Sequence, residues 1–368
     1  MKVICNRGAL VEALNVTAGL IAPRTPKPVL QCVKISAAGN ELSISATDLE
    51  VAVLYRDNQV EVESPGEALV QADKLREVVR ESIDDTLSLQ LVGDTVEVRG
   101  QDSLFKMPTQ AVETFPPVPG FEGEVDFEVP GGLLKHLIGQ TLFAAAKTST
   151  RYAFNGVLLV AKAKNITLVA TDGHRLALAK GELVQAAKGE KDGLRAIIPA
   201  KAMALVERLV DNPEEAVGMQ VRPNQVIVHT PRATLTTNLV EGQFPPYEDV
   251  IPKDADRRMT ASTGDFLSAV RRASLLATEE SKGLRLSFSK NGLVLSTHSP
   301  VAGDSTVNFP CKFDGQDLEI GFSPLYLIDA LRAANVDEVT FDLLAANRPG
   351  LIRGGNFLYV IMPVNLQS

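Results

Sequence analysis

An acid, an imidazole and a guanidinium occur within four consecutive residues, Asp172, Gly173, His174 and Arg175. Such groups can move protons or stabilise negative charge, so this stretch is the first candidate for chemistry. The alternating run 166–169 before it and the apolar run 176–179 after it predict two strands. A glycine beside an aspartate, which can bond its own backbone, predicts a tight turn between them. The three side chains are therefore predicted at the tip of a β-hairpin.

Three interpretations of this tip are open. A hydrolase could use Asp172 and His174, because alternate residues of an extended segment face the same side. It would also need a nucleophile or a metal, and the chain has no P-loop, Gly-x-Gly-x-x-Gly, His-Glu-x-x-His or Gly-x-Ser-x-Gly motif. A purely structural turn is the second interpretation. The third, which we favour, is a binding surface on which His174 and Arg175 frame an apolar slot.

The hairpin belongs to a repeated pattern. Three pairs of matching segments are separated by 124, 127 and 129 residues, namely 46–48 and 170–172, 72–74 and 199–201, and 115–117 and 244–246. A third copy starts near Arg258. Each copy combines two helical patterns with several short strand patterns, which predicts an α+β fold with helices packed on sheets. We expect three domains, at 1–123, 124–253 and 254–368, and repeated units of this kind build arcs, rings or arrays.

Six windows have helical apolar periodicity, at 8–21, 72–83, 131–147, 199–210, 263–278 and 323–335. The last begins with Ser323 as a capping residue and Pro324 at the first helical position. Aromatic residues make up 5% of the chain and tryptophan is absent, so the cores are expected to be aliphatic.

The charge distribution differs between the whole chain and its helices. A net charge of −8 argues against a protein that coats nucleic acid with a generally basic surface. The six helical windows nevertheless contain ten basic and seven acidic residues. This bias fits ordinary solvated helix faces, and it also fits helices that face a phosphate backbone and bind it without sequence preference.

The cysteines indicate a reduced, cytoplasmic protein. Cys5, Cys32 and Cys311 are far apart and odd in number, so neither a disulfide framework nor a zinc site is expected. Charges come too early in the N-terminal segment for a signal peptide. No apolar run reaches the roughly 18 residues of a membrane-spanning helix, so no membrane contact is expected. The sequence indicates no metal and no cofactor.

Four motifs, in this order and spacing, point to a known family. They are Arg151-Tyr152 with Asn155-Gly156, then 170–177, then 239–245 with Tyr247, Val250 and Pro252, and finally 359–364. Over essentially its whole length the sequence resembles the bacterial DNA polymerase III β subunits, the sliding clamps. The resemblance implies two chains of three like domains that close head to tail into a ring around duplex DNA, with helices inside and sheets outside. It implies a processivity factor that tethers a polymerase and has no catalytic activity. A scaffold protein that closes no ring is the nearest alternative.

The resemblance also implies functional residues. A pocket between the central and C-terminal domains would receive short peptide motifs from the DNA polymerase III α subunit, the clamp loader, other polymerases and repair proteins. Its matching positions are Phe154, Thr171, Gly173, His174, Arg175, Leu176, Pro245, Val250, Tyr326, Val360, Ile361, Met362, Pro363 and Val364. DNA contacts are expected at Arg24, Lys147 and Tyr152, and the helix charges add Lys201 and Arg271. Phe105, Leu275 and Leu276 match the ring interface of the homodimer.

Four positions depart from the family pattern. Asn365 stands where many relatives have arginine, and Asp249 where a basic residue is common. Ser281 replaces a frequent aromatic residue and Ala153 a frequent second tyrosine. These differences bear on the peptide preference and on one DNA contact.

Overall fold

A computed structural model describes residues 1–21, 25–148, 152–188, 193–278 and 283–366 of the chain. Its α-helices are α1 (Arg7–Ala18), α2 (Ala72–Glu81), α3 (Gly131–Thr141), α4 (Ala200–Leu209), α5 (Thr263–Ala273) and α6 (Pro324–Ala334). Each predicted helical window overlaps one of them. The predicted windows extend past the helix ends, for α3 by six residues after Thr141, because residues such as 142–144 and 274–278 continue as a tighter turn or as irregular chain.

The strands are short and fall into three groups along the sequence. The first group is β1 (Lys2–Asn6), β2 (Cys32–Ala38), β3 (Glu41–Thr47), β4 (Val51–Asp57), β5 (Val60–Ser64), β6 (Gly66–Gln71), β7 (Thr86–Val92), β8 (Thr95–Arg99) and β9 (Leu104–Gln110). The second is β10 (Phe127–Pro130), β11 (Gly156–Lys162), β12 (Asn165–Thr171), β13 (Arg175–Glu182), β14 (Leu194–Pro199), β15 (Ala216–Val221), β16 (Gln225–His229) and β17 (Ala233–Asn238). The third is β18 (Arg257–Ser262), β19 (Leu284–Ser289), β20 (Gly292–Ser299), β21 (Gly303–Phe309), β22 (Lys312–Asp314), β23 (Leu318–Phe322), β24 (Glu338–Leu343), β25 (Gly350–Gly354) and β26 (Phe357–Ile361).

The chain forms two compact units. The first comprises 1–134, 184–188 and 201–239, and the second 135–183, 189–200 and 240–368. Residues of the central sequence repeat are divided between the units, and the domain borders at 123/124 and 253/254 stay a prediction.

The first unit is built on one sheet of thirteen strands, in the order β10-β15-β16-β17-β4-β3-β2-β6-β9-β8-β7-β1-β5. Strands from two sequence repeats meet in it where β17 pairs antiparallel with β4, with Leu235 opposite Val53. Asn6 caps α1 by accepting the Ala9 N–H at 3.0 Å, so the helix starts one residue earlier than the apolar pattern indicated.

The second unit contains two sheets. One has nine strands in the order β14-β11-β12-β13-β26-β25-β24-β18-β22, and the other has four in the order β21-β20-β19-β23. Here β13 pairs antiparallel with β26, again joining strands from two sequence repeats. Ser323 lies at the N-cap of α6, but its side chain makes no capping hydrogen bond, so that part of the prediction was wrong.

Most buried apolar side chains are aliphatic, as expected, although aromatic side chains are the largest of them. Leu10, Leu14 and Ile35 are among the largest fully buried side chains of the first unit. In the second unit the fully buried side chains of largest volume are aromatic, although most of its other buried side chains are aliphatic. The Phe288 and Phe341 rings are 6.2 Å apart, edge to face, and Phe322 lies 5.4 Å from Phe341. The composition predicted the aliphatic majority, but a low overall aromatic content says nothing about where the aromatic residues concentrate.

Within the described residues, no helix is long and apolar enough to cross a membrane. The same residues contain no group of three or more His, Cys, Asp or Glu side chains placed to hold a metal ion.

Candidate docking site

The predicted hairpin tip is a hydrogen-bonded turn between β12 and β13. The Asp172 Oδ1 atom accepts the N–H groups of His174 at 2.9 Å and Arg175 at 3.0 Å. The Thr171 hydroxyl accepts the Gly173 N–H at 3.1 Å and donates to the Arg175 carbonyl at 2.7 Å. Gly173 has φ = +91°, a backbone conformation that favours glycine. The threonine and aspartate therefore hold the turn, which fixes where the two following side chains begin.

The Arg175 guanidinium is bound on three sides. Its Nε donates to Asp172 Oδ2 at 3.0 Å, its Nη1 to Asp329 Oδ2 at 2.7 Å, and its Nη2 to the Phe143 carbonyl at 2.8 Å. Its Cζ lies 4.3 Å from the centroid of the Tyr326 ring, a cation–π contact. The Arg175 side chain is only 10% exposed. The largely buried guanidinium therefore links the turn, α6 and the 3₁₀ turn after α3.

The two tyrosines beside this guanidinium are neutral. Burial raises the pKa of Tyr359, and the positive charge of Arg175 acts in the opposite direction. Burial, followed by the negative charge of Asp172, raises the pKa of Tyr326. Both phenols therefore keep their protons at physiological pH.

Strand β26 forms the second side of the site. Leu176 on β13 lies opposite Val360 on β26, and Arg175 lies opposite Ile361. Just beyond the strand, the Met362 N–H donates to the His174 carbonyl at 2.9 Å. This bond extends the strand pairing as far as the turn.

An apolar cluster lies behind the turn and β26. Its buried members are Ala153, Leu158, Val169, Leu176, Leu178, Ile197, Tyr247, Leu351 and Val360. Phe154 is also buried, and its Cε2 lies 3.4 Å from the place where a Cβ atom on Gly173 would stand. The glycine therefore allows the turn to lie directly against the phenylalanine ring.

The predicted pocket residues divide into a buried set and an accessible set. Phe154, Thr171, Leu176, Val360 and Ile361 are buried, and Pro245, Arg175, Tyr326, Pro363 and Val364 are half-buried. Gly173, His174, Val250 and Met362 are exposed, Val250 to 50% and Met362 to 44%. Val364 is held by its N–H, which donates to the Gly321 carbonyl at 2.9 Å. Exposed apolar side chains next to a buried apolar cluster make a surface suited to an extended peptide.

The hydrogen bonds of Asp172 argue against its use in a hydrolase. Both oxygens of the Asp172 carboxylate are engaged by the turn and by Arg175. An aspartate used in this way orders the backbone and is poorly placed to orient an imidazole as a base.

Sequence reasoning missed two groups of this site, which are Asp329 and the Phe143 carbonyl, and it named Tyr247 in a family motif without assigning it to the site. Asp329 lies three residues after Tyr326 on α6, a spacing that puts both on one face of the helix. That spacing was a usable signal. The carbonyl of Phe143 carried none, because it depends on the single 3₁₀ turn Leu142–Ala144 that ends α3.

The other predicted functional residues are at separate places. Lys147 and Arg271 are exposed. The Lys201 ammonium instead bonds the Asp48 carboxylate and, at 3.1 Å, the Leu20 carbonyl. Of the interface candidates, Phe105 is 40% and Leu275 is 78% exposed, and Leu276 is half-buried. Arg24, Arg151 and Ser281, and the side chain of Tyr152, lie outside the described residues.

Comparison with known proteins assigns the family. Three family models match in succession, described as the N-terminal, central and C-terminal domains of the DNA polymerase III beta subunit, over residues 1–119, 128–246 and 248–365. The chain belongs to the DNA polymerase III beta subunit family. Among its relatives, the beta sliding clamp of Pseudomonas aeruginosa is 30% identical and that of Escherichia coli K12 29%, each over 370 residues and the full length of both chains.

Solved sliding clamps share the fold. The clamp of Pseudomonas aeruginosa bound to griselimycin has a TM-score of 0.92 at 30% identity, covering 100% of both chains. The beta subunit of Thermotoga maritima has a TM-score of 0.92 at 25% identity with the same coverage. Three clamp domains of mixed helices and sheets therefore follow one another along this chain.

Proposed function

We propose that this chain is a DNA sliding clamp, a processivity factor without catalytic activity of its own. Two copies would close head to tail into a ring around duplex DNA in the cytoplasm, helices inward and sheets outward. The ring would tether the replicative polymerase, and a tether acts by raising the local concentration of the enzyme at the primer end. The observation that carries the proposal is the succession of three clamp-domain matches over residues 1–119, 128–246 and 248–365.

We assign the surface formed by the 171–175 turn, the end of β26 and the residues up to Val364 as the partner site. Its occupants would be short peptides of the DNA polymerase III α subunit, the clamp loader and other DNA-processing proteins. Exposed Met362 beside the buried cluster supports this assignment, because a flexible thioether adapts to different apolar side chains. The griselimycin-bound clamp of Pseudomonas aeruginosa suggests griselimycin as a probe ligand for this chain.

For the ring interface we propose Leu275 and its sequence neighbour Leu276 on one end domain, and Phe105 on the opposite end domain. Phe105 is 40% and Leu275 is 78% exposed in the single chain, so both side chains are available to be covered by a second copy. For DNA we propose Lys147 and Arg271, which are exposed, together with Arg24 and Tyr152. Lys201 is the weakest of these candidates, since its ammonium is already paired with Asp48.

The proposed ring is tested by comparing how long the loaded protein stays on circular and on linear DNA. The labelled protein is loaded by a clamp loader onto nicked circular plasmid or onto the same plasmid linearised, and both samples are washed at high salt. We expect retention on circles and loss from linear DNA, because a binder that relies on phosphate contacts alone leaves both as salt rises. Equal loss from both would reject encirclement.

A variant at the ring interface provides the matched control. Leu275→Asp places a charge on a side chain that is 78% exposed in the single chain, so folding should be preserved. We expect this variant to run as a monomer in gel filtration and to be lost from circular plasmid. Retention equal to the wild-type protein would exclude Leu275 from the interface.

A further inference from the structure

The guanidinium of Arg175 is held by groups from two other elements, a side chain of α6 and a carbonyl of the 3₁₀ turn after α3. Asp329 accepts its Nη1 at 2.7 Å, and the Phe143 carbonyl accepts its Nη2 at 2.8 Å. The side chains of Arg175 and Asp329 are 10% and 22% exposed, so the ion pair is largely shielded from water and salt. Asp329 comes from α6, whereas Arg175 begins β13, so the pair joins two elements that are far apart in sequence.

We propose that Asp329 is a positioning residue for partner binding. It holds the Arg175 guanidinium over the Tyr326 ring, with Cζ 4.3 Å from the ring centroid, and thereby orders the wall of the site before a partner arrives. The proposal rests on the partner site assigned under Proposed function. Asp329 is assigned no contact with the partner itself.

The expected consequence follows from the three contacts of the guanidinium. Without Asp329, Nη1 loses its acceptor, and Asp172 is the remaining ion-pair partner of the cation among the described residues, although its carboxylate also holds the turn. The arginine side chain then has alternative positions, and Tyr326 loses a fixed partner. A ligand that binds must order both side chains, which lowers its affinity.

Griselimycin, measured by isothermal titration calorimetry on the full chain, tests the proposal. We expect Asp329→Ala to weaken binding about 10-fold, on the scale of ordering two side chains. Asp329→Asn keeps an acceptor for Nη1 and should lie between Ala and the wild-type residue. Alanine is a good helix former, so α6 should be preserved.

Asp342→Asn is the matched control. Asp342 is a buried carboxylate of the same unit that pairs with arginine, accepting Arg258 Nε at 2.5 Å and Nη2 at 3.0 Å. We expect this variant to lower the unfolding midpoint without changing griselimycin affinity. A general loss of stability would instead weaken binding in both variants, and that result would overturn the positioning role.

The remaining outcomes separate the two proposals. Unchanged affinity in Asp329→Ala, while the wild-type chain binds griselimycin, would overturn the role of Asp329 alone. Failure of the wild-type chain to bind griselimycin would overturn the assigned ligand, and the positioning role with it.

Discussion

The turns at 47–51 and 171–175 are copies of one structure in the two units. In each, the threonine hydroxyl donates to the carbonyl four residues later, at 2.9 Å in the first copy and 2.7 Å in the second. The aspartate accepts the N–H three residues later, at 2.8 Å and 3.0 Å. The carbonyl of the fourth residue accepts an N–H from the end of the paired strand or just beyond it, of Asn238 at 3.0 Å and of Met362 at 2.9 Å.

The side chains on this shared backbone differ. Where the second copy has Gly173, the first has Leu49, at φ = +80° and 50% exposed. Where the second has Arg175, the first has the buried Val51. The cation of the first turn comes instead from Lys201, which bonds Asp48. The repeat thus preserves a backbone, and the capacity to bind a partner depends on the side chains placed on it.

The largest expected effect comes from removing the cation of each turn. Arg175→Ala leaves two half-buried carboxylates, Asp172 and Asp329, without their shared partner, and should lower the free energy of unfolding by about 3 kcal/mol. Lys201 is 46% exposed, so Lys201→Ala should cost less than about 1 kcal/mol. Urea unfolding followed by circular dichroism measures both. Equal losses of unfolding free energy would show that the two cations stabilise their turns to the same extent.

Exchanging the third residue of each turn is the next test. Gly173→Ala forces a side chain into the φ = +91° conformation, and should lower the free energy of unfolding by about 1 kcal/mol. Leu49→Gly relieves that strain in the first turn but adds freedom to the unfolded chain, so it should change stability by less than about 0.5 kcal/mol. A thermal melt of each variant is sufficient. Destabilisation by Leu49→Gly would mean that the leucine side chain is packed in the folded state.

Substitutions at the fourth residue of each turn should differ in their effect on griselimycin affinity. His174→Ala removes an exposed side chain at the rim of the proposed site and should weaken griselimycin binding by about 1 kcal/mol, as for a contact outside a hot spot. Glu50→Ala is the equivalent change in the first turn and should leave affinity unchanged. Calorimetry on both variants decides, and a loss in Glu50→Ala would point to a second partner site.

The smallest expected effect is a loss of stability in mild acid, caused by His229 in the thirteen-stranded sheet that also contains the strands of the first turn. Burial, followed by the charge of Arg56, lowers the pKa of His229 below its ordinary value. The folded protein then binds this proton less readily than the unfolded chain, so stability is complete above the ordinary histidine pKa of about 6.5 and declines below it. His229→Phe should flatten the dependence of the urea midpoint on pH and keep a ring against Phe121. An unchanged pH slope would exclude His229.

Local patterns predicted the elements and the turn. The apolar periodicity located all six helices, and the Asp172-Gly173 pair located the hairpin tip, because both signals depend on neighbours in sequence. The interpretation of Arg175 as part of the pocket wall stays a prediction, whereas its hydrogen-bond partners Asp329 and the Phe143 carbonyl were not predicted. Those partners are 154 and 32 residues away, beyond the reach of a local pattern.

Lys201 also has a partner that is distant in sequence and that a local pattern could not reveal. A lysine at the start of a helix in a weakly basic set predicted a DNA contact. The structure pairs it with Asp48, 153 residues earlier. Charge counts along a sequence do not reveal which cations are already neutralised by a distant acid.

The pairing of β4 with β17 and of β13 with β26 limits how the gene can be divided. A fragment that ended near residue 253 would lack β26, and β13 would then present a bare row of amide and carbonyl groups. An exposed strand edge of this kind can pair with strands of other molecules, so the fragment should aggregate. Truncation and domain-exchange experiments on this chain should therefore cut inside loops that leave both ladders whole.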